Sequence, residues 1–96
     1  MPAKPLPSWF RHLDLPSSIL VLLASHQSRY LRVLVDKLGH RWSKLQIECA
    51  ADALMARGSI ELDSPHVYRV RLTSQGRCES GRARERAQKL EKRAAA

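Results

Sequence analysis

Residues Ser43 to Leu72, SKLQIECAADALMARGSIELDSPHVYRVRL, decide which fold this sequence predicts. Ser43 is a typical helix N-cap, and Gln46 three residues later completes a capping-box pattern. Gly58 is a typical residue just beyond a helix end. Between these signals, apolar residues recur at helical spacing, at Ile47, Ala50, Ala51, Leu54 and Met55. The stretch therefore begins with an amphipathic helix over residues 44–57.

A β-hairpin is predicted directly after this helix. Residues 60–62 have the pattern of a short strand, Asp63, Ser64 and Pro65 that of a turn, and residues 67–72 that of a second strand. Two kinds of side chain alternate along the second strand: Tyr68, Val70 and Leu72 on one face, and Arg69 and Arg71 on the other. Because neighbouring side chains of a strand point to opposite faces, both arginines are expected on one solvent-exposed face.

Two helices are predicted before this stretch. A serine just after Pro16 is placed to cap a buried helix that contains the apolar run Ile19–Leu23 and ends near residues 26–28. A second helix, which Ser28 is placed to cap, has apolar residues at helical spacing and ends at Gly39.

The turn between the second and third helices consists of residues 39–42. Two helices joined by a glycine-containing turn form the helix-turn-helix pattern. Trp42 stands just outside the Ser43 cap, and we expect its ring to pack against the core and fasten the turn.

The ends of the chain differ in composition from its central part, residues 17–74. Residues 1–16 form a proline-rich N-terminal arm with four large apolar residues: Trp9, Phe10, Leu13 and Leu15. This arm is expected to lie either across its own domain or across a second subunit. Residues 75–96 form a basic helix or tail, after a possible cap at Thr73 or Ser74, with a thin apolar stripe of Cys78, Ala83, Ala87 and Leu90. Such a helix is expected to project into solvent or to pair weakly with a second copy of the chain.

The charge balance favours a polyanionic partner. The 96 residues include 17 Lys and Arg against 9 Asp and Glu, a formal net charge of +8. No apolar run approaches the roughly 18 to 20 residues of a membrane span, and no export signal is visible, so a cytoplasmic protein is expected. Cys49 and Cys78 suggest no disulfide framework, and the histidines lack metal-ligand spacing. We therefore expect no catalytic site, metal or cofactor, and no enzyme activity.

From Leu15 to Gly76 the chain resembles the winged-helix domain of the MarR family of bacterial transcription regulators. Four segments carry the resemblance, in this order: LPSSILVLLASH (15–26), LVDKLG (34–39), SKLQIECAADALMARGSIEL (43–62) and VYRVRLTSQGR (67–77). The last segment is the most specific, because a basic strand followed by Leu-Thr and then a glycine recurs in that family. The resemblance implies a mainly α fold with a small β-hairpin: a winged helix-turn-helix with a three-helix core, a wing and an extra C-terminal helix.

The resemblance also implies sequence-specific binding of duplex DNA by a homodimer. The third helix would enter the major groove and the hairpin would reach a neighbouring backbone or minor groove. At the start of that helix, Arg41, Ser43 and Lys44 are placed for phosphate contact. Three outward-facing residues are expected near the bases: Leu45, Glu48 and Cys49. Further basic residues are expected at phosphates: Arg29, Arg57, Arg69 and Arg71, with His66 at the hairpin tip. Dimer contacts are expected from the N-terminal arm and the C-terminal helix.

The outward face of the third helix leaves other interpretations open. Glu48 and Asp52 both point outward, and acids that face a phosphate-lined groove reduce affinity for DNA. Together with Leu45, they suit a winged-helix module for protein–protein interaction without specific DNA binding. A third interpretation, single-stranded nucleic acid bound by aromatic residues, is less favoured because Trp9, Trp42 and Tyr68 are expected to serve in packing.

Overall fold

The computed structural model describes residues 6–25, 29–64 and 68–95. In chain order the elements are a short 3-10 helix (Ser8–His12), α1 (Leu15–Ala24), β1 (Arg29–Tyr30), α2 (Leu31–Leu38), α3 (Lys44–Arg57), β2 (Ile60–Ser64), β3 (Arg69–Leu72) and α4 (Ser74–Ala95). The largest fully buried apolar residues come from both helices and strands: Ile19, Leu23, Leu34, Leu38, Ile47, Leu54, Ile60 and Val70. The predicted mainly helical chain with a small β-hairpin is therefore confirmed.

The sheet has the strand order β1-β3-β2, and both strand pairs are antiparallel. β2 and β3 form the predicted hairpin, although β2 continues to Ser64, inside the segment predicted as a turn. β1 was not predicted, because a strand of two residues has no alternation that a sequence pattern can show. It sets Arg29 opposite Val70, and the Leu31 amide donates to the Tyr68 carbonyl at 2.9 Å.

α1 begins at Leu15, earlier than predicted, so the boundary drawn after residue 16 falls inside the helix. Its cap is the Asp14 carboxylate, which accepts a hydrogen bond from the Ser17 amide at 2.9 Å. The predicted serine cap is wrong, because an ionised carboxylate one turn earlier also complements the helix dipole. Ser18 is instead buried, and its hydroxyl donates to the Asp14 carbonyl at 2.7 Å. α1 ends at Ala24, with Ser25 as its C-cap, and the predicted end at residues 26–28 lies outside the described residues. The predicted Ser28 cap of the second helix is wrong, because β1 comes first and α2 begins only at Leu31, with Tyr30 at the N-cap position and no side-chain cap hydrogen bond.

α3 spans Lys44–Arg57, as predicted. Ser43 and Gln46 form the capping box. The Ser43 amide donates to Gln46 Oε1 at 2.8 Å, and the Gln46 amide donates to the Ser43 hydroxyl at 3.1 Å. Gly58 follows the helix at a φ of 83°, a left-handed conformation that favours glycine. The predicted inner stripe is buried or half-buried, and Trp42 packs half-buried against the core. The structural role expected for Trp42 is therefore confirmed.

The segment Leu72-Thr73-Ser74-Gln75-Gly76 connects β3 to the first turn of α4. Thr73 caps α4 by accepting from the Gly76 amide at 3.1 Å, and its own amide donates to the Ser59 carbonyl at 3.1 Å. Gly76 lies so close to the chain after α3 that an added Cβ would stand 1.9 Å from the Ser59 carbonyl oxygen. This segment therefore joins the start of α4 to the end of α3.

α4 packs along α1 and the 3-10 helix of its own chain. Its buried residues are small, chiefly Ala83 and Ala87, and the arm supplies Phe10 and Leu13, each 5% exposed. The expectation of a projecting or weakly paired C-terminal helix is wrong, because the apolar surface comes from the elements that α4 packs against. Of the two alternatives for the arm, the structure shows packing across its own domain. These apolar residues therefore no longer argue for dimer contacts, and the homodimer stays a prediction.

Candidate nucleic-acid interface

The face of α3 opposite its buried stripe is open to solvent. Leu45 is 69% exposed, Cys49 and Asp52 are exposed, and Glu48 is partly exposed, which confirms their predicted outward orientation. Lys44, Glu48 and Asp52 follow one another at four-residue spacing and form one row, with one positive and two negative charges. The Lys44 Nζ lies 3.9 Å from Glu48 Oε1, so the positive charge at the start of the row is partly neutralised.

Tyr68 connects the hairpin to this face of α3. Its hydroxyl donates to Asp52 Oδ1 at 2.8 Å. Burial, this hydrogen bond and the negative charges of Asp52 and Glu48 raise the pKa of Tyr68 to about 12. The hydroxyl therefore stays protonated at neutral pH and keeps donating. This hydrogen bond joins the exposed row of α3 to the residue just before β3.

The arginines of β3 are paired with acids of β2. The Arg69 Nε lies 2.9 Å from Asp63 Oδ2, the Arg71 Nε lies 2.8 Å from Glu61 Oε1, and the Arg71 Nη1 lies 3.2 Å from Asp63 Oδ1. Both arginines lie on the solvent side of the strand, as predicted. The sequence did not reveal their partners, because the pairing of Glu61 with Arg71 follows from the register of the hairpin. These four charges cancel, and this part of the hairpin is close to neutral.

Arg57 belongs to the junction between α3 and α4. Its Nη2 lies 2.8 Å from Glu79 Oε2, and its Nε donates to the hydroxyl of Ser59 at 3.0 Å. Ser59 is fully buried and donates to the same carboxylate at 2.7 Å. Burial opposes ionisation of Glu79, but hydrogen bonds from Ser59 and Gln75 and the charge of Arg57 outweigh it and lower the pKa. The Arg57 guanidinium, which was expected at a DNA phosphate, therefore forms an ion pair within the chain.

Several other residues expected at phosphates also have contacts within the chain. The Arg41 guanidinium carbon lies over Trp42, 4.2 Å from the ring centroid, and its Nη2 reaches a backbone carbonyl of the arm at 3.4 Å. The Ser43 hydroxyl belongs to the capping box. Arg29 is half-buried, and burial lowers its pKa. His66 lies outside the described residues. Phosphate contact by these four residues stays a prediction.

An aromatic and basic patch beside the hairpin was not predicted. Tyr30 and Tyr68 are each 38% exposed. The Tyr30 ring centroid lies 5.5 Å from the guanidinium carbon of Arg32 and 5.8 Å from that of Arg69. The pairing of β1 with β3 sets Tyr30 opposite Arg69. Because no sequence pattern reveals β1, the sequence could not predict this patch.

Among residues 6–25, 29–64 and 68–95, no group of three or more His, Cys, Asp and Glu side chains is placed to hold a metal ion. Within the same ranges, no helix has the length and apolar character needed to cross a membrane. No known protein family, curated protein or solved structure matches this chain.

Proposed function

We propose that this chain is a winged helix-turn-helix protein of MarR-like type that binds duplex DNA through the exposed face of α3 and the β2–β3 hairpin, and so regulates transcription. The observation that carries the proposal is the order of the elements. A strand follows the first of three helices and pairs with the last strand of the hairpin, which gives the sheet order β1-β3-β2. This arrangement leaves one face of the third helix open beside the hairpin, as reading of a major groove requires.

The charges support a polyanionic partner and predict a modest affinity at this surface. Exposed ion pairs stabilise a protein by only about 0 to 1 kcal/mol each, so Arg71 can exchange the Glu61 carboxylate for a phosphate at little cost. The carboxylates of Glu61 and Asp63 would remain nearby and repel the backbone. Binding should weaken steeply with salt, since each neutralised phosphate contributes about 0.9 to the slope of log K against log salt.

Charge reversal on the proposed surface tests this function. The double variant Lys44→Glu/Arg71→Glu should bind a labelled random-sequence duplex about tenfold more weakly, or worse, at low salt. The matched control is Arg77→Glu/Arg84→Glu, which makes the same change in net charge on exposed positions of α4. The measurement is a fluorescence-anisotropy titration, with thermal unfolding as a check that each variant is folded.

The control separates a specific surface from general attraction. The proposal expects a much smaller loss in the α4 variant than in the α3 and hairpin variant. Equal losses, or no loss in Lys44→Glu/Arg71→Glu, would contradict the assignment of this surface to DNA.

A second candidate function is a protein–protein interaction module. Leu45 and Tyr68 are exposed beside the acidic residues Glu48 and Asp52. Such a surface favours this function because it suits a partner with apolar and basic groups. Under this alternative, charge reversal of Lys44 and Arg71 leaves weak duplex binding unchanged, so the same titration distinguishes the two functions.

A further inference from the structure

α4 carries a row of basic side chains on its solvent-exposed side. Residues 82, 86, 89 and 93 lie on one face of a helix, since successive residues are rotated by about 100°. We call this row the basic stripe, and it consists of Arg82, Arg86, Lys89 and Arg93. All four side chains are exposed. The stripe extends over about 16 Å of the helix.

Two of the three acids of α4 are bonded to groups outside the stripe. Glu79 is paired with Arg57, and Glu91 with His12 and Arg11 of the arm. The hydrogen bond with His12 and the charge of Arg11 lower the pKa of Glu91, although burial opposes this. Glu85 is exposed and lies one helical turn from Arg82 and from Lys89, so it offsets part of the charge of the stripe. In the part of the chain that the structure describes, no stripe residue lies within ion-pair distance of a carboxylate.

The stripe begins at a polar cleft between α1, α3 and α4, with a volume of about 330 Å³. Arg82 and Arg86 line this cleft together with Arg57. The two acids of the cleft are already bonded, Asp14 to the first turn of α1 and Glu79 to Arg57. The cleft therefore presents guanidinium groups of the stripe to an oxyanion from solvent.

We propose that the basic stripe is a second DNA-binding surface, which contacts the phosphate backbone of duplex DNA independently of sequence. Guanidinium groups match phosphate in geometry as well as in charge. A row of cations over about 16 Å faces several phosphates, because each strand carries one charge per roughly 3.4 Å of duplex. The stripe adjoins Arg57 at the end of α3, whereas Lys44 begins α3 about 20 Å away. The stripe therefore lies on α4, apart from the start of α3, and its binding of DNA does not depend on which partner the α3 face binds.

A lipid surface fits the stripe less well than DNA. A helix that lies on a membrane inserts an apolar face between the lipids. The apolar face of α4 is already covered, because Ala83 and Ala87 are buried against α1 and the arm. Among the side chains of α4 that the structure describes, Leu90, at 45% exposure, is the only large apolar one left in solvent.

The test removes the α3 surface first and then probes the stripe. In the Lys44→Glu/Arg71→Glu background, residual binding of random-sequence duplex should depend on the stripe. Adding Arg86→Gln/Lys89→Gln should weaken it about tenfold or more and reduce the salt slope by about 1.8. The matched addition is Arg77→Gln/Arg84→Gln, which removes the same charge from the other side of α4 and should change the binding constant by less than about twofold.

Each outcome decides the inference separately from the proposed function. If Lys44→Glu/Arg71→Glu binds as well as the wild type, the proposed function fails, while a loss confined to the stripe variant still supports the stripe. Loss of all duplex binding in the background, or equal losses in the two added variants, would overturn the inference. So would stripe-dependent binding to phosphatidylserine vesicles with no effect of the stripe on duplex binding. Thermal unfolding checks that the variants are folded.

Discussion

The exposed faces of α3 and α4 are built on the same helical repeat but carry different charges. The row on α3 runs Lys44, Glu48 and Asp52, with one positive and two negative charges, whereas the basic stripe on α4 has four positive charges. The chain has a net charge of +8, yet little of it lies on the helix that the sequence motifs favour for DNA contact. Net charge predicts a class of partner, and only the fold shows which surface is free to meet it.

The ion pairs of the acids also differ between the hairpin beside α3 and α4. On the hairpin, Glu61 and Asp63 lie across the ladder from the arginines that they neutralise. On α4, Glu79 and Glu91 are bonded to Arg57 and to the arm, which leaves Glu85 as the one acid of this helix beside the four cations of the stripe. The arm and the junction therefore hold α4 in place, and no carboxylate of the described residues lies within ion-pair distance of the stripe. Four variants test this arrangement, beginning with the one expected to have the largest effect.

Phe10→Ala should break the packing that holds α4 against the arm. Phe10 is 5% exposed, and removal of a buried aromatic ring costs about 3 to 5 kcal/mol. The measurement is the free energy of unfolding in denaturant, with the exposed Leu6→Ala as a control of small effect. If the arm crosses its own domain, Phe10→Ala lowers the stability of the chain without changing its oligomeric state, which gel filtration of the variant and the wild type checks. Dissociation of a wild-type dimer by Phe10→Ala would place the arm across a second subunit instead.

Gly76→Ala should disrupt the junction between the two helices. An added Cβ meets the Ser59 carbonyl oxygen at 1.9 Å, so we expect destabilisation by about 2 kcal/mol or more. Gly81→Ala is the matched control on the same helix, because nothing lies within 4 Å of its added Cβ. It should stabilise the protein by roughly 0.5 to 1 kcal/mol through helix propensity. Similar changes in the unfolding free energy of both variants would show that the close approach at Gly76 does not matter.

Glu79→Gln should weaken the junction in a pH-dependent way. The folded-state pKa of Glu79 is lowered, so its contribution is present above the unfolded pKa of about 4.3 and is lost as the pH falls through the folded value. We expect the variant to be less stable by about 1 to 2 kcal/mol at pH 7, with the difference shrinking at acidic pH. Denaturant unfolding at several pH values measures this, with Glu85→Gln as the exposed control. A difference that does not change with pH would contradict the account.

Glu61→Gln/Asp63→Asn should make the hairpin a better DNA surface. Removal of two carboxylates frees Arg69 and Arg71 and ends their repulsion of phosphates, so the affinity for duplex should rise roughly threefold to tenfold at low salt. Because salt screens exposed charges, the gain should fade in an anisotropy titration at high salt. Unchanged or weaker binding at low salt would mean that the hairpin does not face DNA.

The sequence predicted correctly those parts of the fold that depend on a few neighbouring residues. The Ser43 and Gln46 capping box and the glycine after Arg57 depend only on neighbours in the chain, and both were predicted correctly. The exposed row of α3 followed from the same helix period. Contacts between distant residues could not be predicted in this way, because they depend on register and packing. The pairing of β1 with β3, the link between Arg57 and Glu79 and the packing of the arm on α4 are all of this kind.

Backbone amide chemical-shift mapping during titration with a short DNA duplex tests most directly whether α3 and the hairpin bind DNA. We expect the largest shifts at the start and exposed row of α3, from Ser43 to Asp52, and in β2 and β3 of the hairpin, with a separate group at residues 82–93 of α4. Shifts confined to α4, with the amides of α3 and the hairpin unchanged at saturation, would contradict the claim that α3 and the hairpin bind DNA.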